Sequence, residues 1–402
     1  MTAEQPTAPT PRRSIVPAFL IIAAITGAIL VGIEDWRLLF AHGRNQPIGR
    51  DFLIFWLASS AIWHGDFAAV FDPWKSSAAL RAVIGGPEGF TPFPYPPLSV
   101  WFIAPLAALP YLSALPVWLI GTFAVFAAVM RRFFARNWHC IAVLATAPAS
   151  LVNIADGQNG FLSAALLVAG LLALERRPIL AGVLIGLLTF KPQLGMLLPV
   201  ILLAGGYYRP FLSAALMTVA LFGASVLLLG WEPWRLYWNV GVPMQQVFME
   251  IGTGPFVIMI PTFFMAARIL ELPLWFGYGI QGVVAVGVLI ACCWAIRQKA
   301  PLEQRIAVVL VGALLAPPYC FNYDMTVLVA AQVIAWPGYR NLDAMDRAVF
   351  ALAWLLPPAM VVAGMAHAPI APIVLLAQFL VLIRRLATAV ERVSAGARSA
   401  AA

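Results

Sequence analysis

IVPAFLIIAAITGAILVGI, from Ile15 to Ile33, carries no charged side chain. At about 20 residues such a run crosses the hydrocarbon core of a bilayer as one helix. Runs of the same kind recur almost to the end of the 402-residue chain, which is 62% hydrophobic and 10% charged. An ordinary soluble domain is about 25% charged, and a water-soluble fold has nowhere to hide this much apolar surface. Spanning segments must satisfy their backbone internally, as helices or as a closed barrel. A barrel would alternate apolar and polar residues over segments of about 10 residues. No such alternation appears, so the chain reads as an all-α, polytopic integral membrane protein.

The first run lacks a small-residue cleavage site and is expected to be retained as a span rather than removed as a signal peptide. The net charge of +8 does not point to nucleic acid, because Lys and Arg sit at the ends of apolar runs instead of along one stripe. They are topology signals, since basic loops stay on the cytoplasmic side. The clusters are Arg12 and Arg13, RRFFAR (Arg131 to Arg136), ERR (Glu175 to Arg177), YYR (Tyr207 to Arg209), RQKAPLEQR (Arg297 to Arg305), YRNLDAMDR (Tyr339 to Arg347) and the tail from Arg384. All can face the cytoplasm if the chain crosses the membrane about twelve times with both termini inside. That layout makes residues 1–13 a short, disordered cytoplasmic tail, residues 14–388 one transmembrane domain, and residues 389–402 a second cytoplasmic tail.

The remaining connections then share the outer face: the long loop 34–97, the turn ADGQNG (Ala155 to Gly160), the FKPQ break at Lys191, WEPWRLYW from Trp231, APPYCFNYD (Ala316 to Asp324) and GMAHAP (Gly364 to Pro369). Nearly every unusual polar residue falls in this set. Three stretches do not fit a single straight span. Residues 97–130 are too long and break at Leu109-Pro110, 256–270 is ambiguous, and 179–204 is cut at Lys191-Pro192. Such breaks persist at membrane depth only where neighbouring protein or a water-filled cavity meets the freed backbone groups.

Within the long outer loop, DFLIFWLASSAIWHGDFAAVFDP repeats its apolar residues at helical spacing, with Asp51 at the front and Gly65 behind. A helix lying on the membrane surface is expected there, with Asp51 either capping free N–H groups or serving a site. FTPFPYPPL (Phe90 to Leu98) is too proline-rich to be helical; its Tyr95 is an interfacial anchor or a lipid or sugar contact. Gln158 and Asn159, with Asp156, occupy a glycine-bounded turn that is either a polar hairpin tip or part of a site. Lys191, alone in LIGLLTFKPQLGMLL, either snorkels to an interface or marks a cavity or a bound anion. A Pro-Pro pair ends one helix before Asn322, Tyr323 and Asp324, and Asp324 is placed to cap the next. His42, His64, His139 and His367 are scattered, so no metal site is expected. Cys140, Cys292, Cys293 and Cys320 lie in or beside apolar segments without ligand spacing and read as packing residues.

The blocks GRDFLIFWLA (Gly49 to Ala58), FPYPPLSVWFIAPLAALP (Phe93 to Pro110), DGQNGFLSAALLVAGLLALERRPILAGVLIGLLTFKPQLGMLLPV (Asp156 to Val200) and APPYCFNYDMTVLVAA (Ala316 to Ala331) resemble the family 87 glycosyltransferases. These are integral-membrane enzymes of the GT-C superfamily, once known only as a domain of unknown function. Among them are mannosyltransferases that extend phosphatidylinositol mannosides from polyprenyl-phosphate mannose. The resemblance runs over roughly Gly49 to Ala331, and its most specific part is the GQN and FKPQ blocks in their spacing.

It implies transfer of a hexose, mannose-like, from a polyprenyl-phosphate donor to a lipid or glycan acceptor at the outer face of the bacterial plasma membrane, with no cofactor. In such enzymes an Asp of the first outer loop is the catalytic base, and Asp51 holds that position. Some members carry a His in or near the fourth block, where this chain has Phe321, Asn322 and Tyr323.

The chemistry agrees with these residues. A sugar hydroxyl is a weak nucleophile and needs a carboxylate to take its proton, and a departing lipid phosphate needs a cation and oriented donors. Asp51 would supply the first. Lys191, Gln158, Asn159 and Arg50 would supply the second, and Tyr95, Asn322, Tyr323 and Asp324 would complete the substrate contacts. A transporter or flippase of a lipid-linked substrate is the rival from another class, since broken helices and a lone Lys also mark transport pathways. No internal repeat between the halves supports it.

The layout is checked by cysteine accessibility in intact cells with the native cysteines removed. A cysteine introduced at position 300 or 342 is expected to resist impermeant labelling from outside, and labelling there overturns the topology.

Overall fold

The computed structural model describes Ile25 and residues 49–84, 92–336 and 342–401. The expected Ile15 to Ile33 span, the 1–13 tail, His42 and part of the Tyr339 to Arg347 cluster therefore lie outside the described residues, as does the Arg50 side chain. Every regular element among the described residues is a helix, as the hydropathy required.

Among the described residues, five or six of the roughly twelve expected crossings are present as single long helices or a bent pair. Five helices have the length and composition to cross a membrane: Tyr111–Phe133, Tyr208–Leu229, Leu274–Ile296, Ala344–Met365 and Ala371–Arg392. A sixth crossing is available if Asn137–Thr146 and Pro148–Asp156, bent by 66° at their junction, count as one broken span. The bend has a local cause, because Pro148 forces the preceding Ala147 into extended backbone (ψ 136°). Other apolar runs are divided into shorter helices. Gly160–Ala173 and Leu302–Leu315 have 14 residues each, and Thr326–Ala335 has 10. At a rise of about 1.5 Å per residue none reaches across a hydrocarbon core.

These short helices form the centre. In Leu302–Leu315 every residue from Arg305 to Leu315 is buried, the pattern of a helix that is apolar all round because it is enclosed all round. It packs on Gly160–Ala173, Leu274–Ile296, Thr326–Ala335 and Ala371–Ala401. The long helices surround this core and expose aliphatic rows outward, such as Leu212, Leu216 and Val219 on one and Val283, Val286 and Ile290 on another. Where lipid replaces water, helix association depends on close van der Waals contact rather than on the hydrophobic effect. GVLIG (Gly182 to Gly186) supplies such contact. A Cβ at Gly182 would lie 2.4 Å from the Pro210 carbonyl oxygen, and one at Gly186 would lie 2.6 Å from Met217 Cβ.

The ambiguous stretches resolve in favour of breaks. Pro97–Ala108 is a short, partly 3₁₀ segment, and Leu109-Pro110 separates it from Tyr111–Met130. Residues 255–269 hold two short helices, Pro255–Ile258 and Phe263–Ile269. The chain also breaks around Lys191, between Leu188–Phe190 and Pro192–Gly195.

Ion pairs join the basic clusters to one another. Arg132 meets Glu303 at 3.0 Å, Arg305 pairs with Glu175 and donates to the Tyr207 hydroxyl at 3.1 Å, and Arg384 pairs with Asp346. The loops assigned to one side by charge are thus in contact.

The Pro317-Pro318 break strips carbonyls of their helical partners, and Gln281 replaces them. Its Nε2 donates to the carbonyls of Leu315 (2.9 Å), Ala316 (3.0 Å) and Pro317 (3.3 Å), while its Oε1 accepts the Phe264 N–H at 3.2 Å. Gln281→Leu leaves these buried groups unmet, at about 1–3 kcal/mol for such a loss. Thermal unfolding in detergent should show a drop in Tm of several degrees, and an unchanged Tm refutes the staple.

Candidate active site

Two glycines set the register of the site. Gly49 (φ 69°) precedes the helix Arg50–Trp63, and Gly157 (φ 69°) ends the helix Pro148–Asp156. Both sit in the left-handed region that side chains other than glycine's resist. They also touch: a Cβ on Gly157 would lie 2.6 Å from Phe52 Cβ and 3.3 Å from Gly49 Cα. This approach of two bare backbones places Asp51, in the first turn of its helix, beside Gln158, and Gln158 Nε2 donates to Asp51 Oδ2 at 2.8 Å.

A continuous chain of polar side chains leads inward from there. Tyr95 Oη donates to Gln158 Oε1 at 3.5 Å and accepts from Asn159 Nδ2 at 2.8 Å. Lys191 Nζ donates to Asn159 Oδ1 at 2.7 Å and forms an ion pair with Asp324. Asp324 divides its carboxylate, with Oδ1 on Lys191 and Oδ2 accepting the Phe321 N–H at 3.0 Å. The capping role expected of Asp324 is present, and the same group neutralises the lysine. The Lys191 ammonium also lies 4.8 Å from the centre of the Tyr323 ring, which stacks on Phe321.

Lys191 is 1% exposed and Asp324 0%, so the lysine does not snorkel. Removing one member of such a pair leaves a bare charge in a dry interior, at about 3–5 kcal/mol. Its ammonium is occupied by Asn159, Asp324 and the Tyr323 ring, and an incoming anion would have to displace one of them. Gln158, Asn159 and Tyr95 are buried too, whereas Asp51 is partly exposed. The chain therefore comes to the surface at Asp51.

Each segment folds for a reason legible in its residues. FPYPP is held extended by its prolines, with Phe93 and Phe55 packed against Tyr95. Gln245 secures this extended stretch by donating to the Pro94 carbonyl at 2.8 Å. Burial, with the Asp324 charge adding to it, pushes the Tyr95 phenol above its ordinary value, so the hydroxyl keeps its proton.

Of the expected residues, Asp51, Tyr95, Gln158, Asn159, Lys191, Tyr323 and Asp324 are brought together. Asn322 adjoins them. Its backbone N–H donates to the Met259 carbonyl at 2.9 Å, and its buried side-chain oxygen meets no partner among the described residues. Asp66 and Asp72, in the same early region, are caps for the Ala69 N–H and for the Trp74 and Lys75 N–H groups.

Sequence reasoning missed Asn153 and Thr326. Asn153 Oδ1 accepts the Gly160 N–H at 2.7 Å, and Thr326 Oγ1 donates to the Gly160 carbonyl at 2.8 Å. The signal was Gly160 itself, where a Cβ would lie 2.4 Å from the Tyr323 carbonyl oxygen.

The fold is thus an all-helical, multi-pass membrane protein in which a partly exposed carboxylate is backed by a buried polar cluster. The chain belongs to glycosyltransferase family 87, which it matches over residues 93–318, more than half its length. The match contains Tyr95, Gln158, Asn159 and Lys191, begins after Asp51 and ends before Asp324. No curated protein and no solved structure matches the chain. The protein is thus a membrane glycosyltransferase, which uses a sugar donor and an acceptor.

The role of Gly157 is separable from backbone strain by comparison with Gly206, whose φ is 75° but whose Cβ would meet nothing within 4 Å. Alanine at either costs about 1–2 kcal/mol of strain, and the clash at Gly157 adds about 1–3 kcal/mol. Unfolding in detergent should therefore show Gly157→Ala as clearly the less stable variant. Equal losses would mean that the close approach does not require a glycine.

Proposed function

We propose that this enzyme transfers a hexose, mannose-like, from a polyprenyl-phosphate sugar to a lipid or glycan hydroxyl at the outer face of the plasma membrane, with Asp51 as general base. The observation that carries this reading is Asp51 itself, the partly exposed end of an otherwise buried polar chain, with one oxygen fixed by Gln158 at 2.8 Å. A carboxylate so held can take the proton of an acceptor hydroxyl as its oxygen attacks the anomeric carbon. The bond from that carbon to the lipid phosphate breaks in the same step, and the phosphate leaves with the bonding electrons.

The residues divide into two tasks. Arg50, next to Asp51 in the chain, keeps the assignment to substrate. Lys191 and Asp324, turned on each other, hold the frame instead of binding the donor phosphate. A polyprenyl donor suits the setting, since its tail lies in the bilayer that surrounds the long helices and its head group comes to the surface beside Asp51.

Asp51→Asn keeps the size of the side chain and an oxygen that accepts from Gln158, so stability should fall by less than about 1 kcal/mol. Turnover should slow by about two to four powers of ten. The assay is purified protein in detergent with radiolabelled polyprenyl-phosphate hexoses and total membrane lipid as acceptor. Asp66→Asn and Asp72→Asn, which alter only caps, should stay within a few-fold of the parent. Near-normal transfer by Asp51→Asn would reduce that residue to a helix-end carboxylate.

A further inference from the structure

We propose that the buried Lys191–Asp324 pair is a positioning device that fixes the direction of every hydrogen bond in the chain, so that Gln158 meets Asp51 as an N–H donor. The proposal rests on the reading of Asp51 as base and adds a role for residues that do not touch substrate.

The direction follows from what each group is able to do. An ammonium has donors only, so Asn159 must turn its oxygen to Lys191, as it does at 2.7 Å. Its amide nitrogen is then left for Tyr95, and donates to the phenol oxygen at 2.8 Å. With that oxygen accepting, the Tyr95 proton goes to Gln158 Oε1, which also accepts the Asn159 backbone N–H at 3.4 Å. With its oxygen committed, Gln158 has its NH₂ for Asp51. Were Gln158 reversed, two acceptor oxygens would face each other across the contact. Each link excludes the flip of the next.

The origin of this order is anchored in backbone. Asp324 is held at the head of its 3₁₀ turn by the Phe321 N–H, and Lys191 sits at a helix break sealed by Pro192. The chain conducts orientation and not protons. Two of its links are carboxamides, which neither accept nor release a proton under ordinary conditions. A substrate role for these residues is disfavoured by their burial, with Lys191 at 1% and Asn159 at 3% exposure.

Tyr95→Phe removes the linking hydroxyl and leaves the ring among Phe55, Phe93 and Phe190. If the chain positions Asp51, kcat should fall by about 10- to 100-fold, the range that a small misplacement of a catalytic group produces. KM for the polyprenyl-phosphate sugar should stay within a factor of about 2 of the parent, since under this proposal Tyr95 does not touch the donor.

The decisive variant combines Tyr95→Phe with Asp51→Asn. Once the base is gone the linking hydroxyl has nothing to position, so the residual rate of Asp51→Asn should not fall further. Lys191→Met alone strands a buried carboxylate, so the pair is replaced together as Lys191→Met with Asp324→Asn, keeping an acceptor for the Phe321 N–H. This double variant should fold, retain its donor KM and lose kcat as Tyr95→Phe does.

A parental kcat in Tyr95→Phe overturns the proposal. So does a raised donor KM at unchanged kcat, which would make these residues substrate contacts, and so do losses that multiply in the combination with Asp51→Asn. Asp51→Asn measured alone decides the underlying reading, so failure of the base and failure of the positioning chain are told apart.

Discussion

An ammonium in a dry interior is tolerated only beside an opposite charge, and the pairing of Lys191 with Asp324 is the condition on which the centre of this protein depends. The two residues lie 133 positions apart in sequence. Joining them draws the FKPQ break and the CFNYD turn to one point, and the GQN turn is tied to that point through Asn159. A buried pair of this kind adds little net stability over well-packed apolar side chains. What it supplies here is a fixed meeting point for these loops, since either charge left alone in the interior would be costly.

The sequence made the class of fold readable, since composition and run length leave few alternatives to a helical membrane protein. It also made the convergence of polar residues readable, through charge bias at the loops alone. Which apolar runs are long straight helices and which are short enclosed ones was less readable. A window of hydropathy scores Leu302 to Leu315 or Gly160 to Ala173 much as it scores a span, because a helix buried in protein and one surrounded by lipid are equally apolar. Their lengths, and the prolines that divide them, were the better guide.

The candidate site was legible as a set of residues and less so as a set of roles. Lys191 read as a cation awaiting an anion, and its partner was already within the same residue set as Asp324, then taken for a cap. One carboxylate with two oxygens serves both purposes, a division that spacing alone cannot reveal. Asn153 and Thr326 escaped notice because each acts on the backbone of Gly160 and carries no pattern of its own. Gln281 escaped likewise, since a single amide in a long apolar helix declares a partner without naming it.

The arrangement of short enclosed helices inside longer lipid-facing ones separates two demands. Bilayers differ in thickness by several ångströms between membranes and with lipid composition, and a spanning helix meets that mismatch by tilting. Here the elements exposed to the mismatch are the long outer ones, while Asp51, Gln158, Asn159, Lys191 and Asp324 stand on short helices and turns. Tilting of the outer helices therefore need not change the distances among those five side chains. A change in bilayer thickness would thus fall first on the long outer helices, and the candidate site stands apart from them.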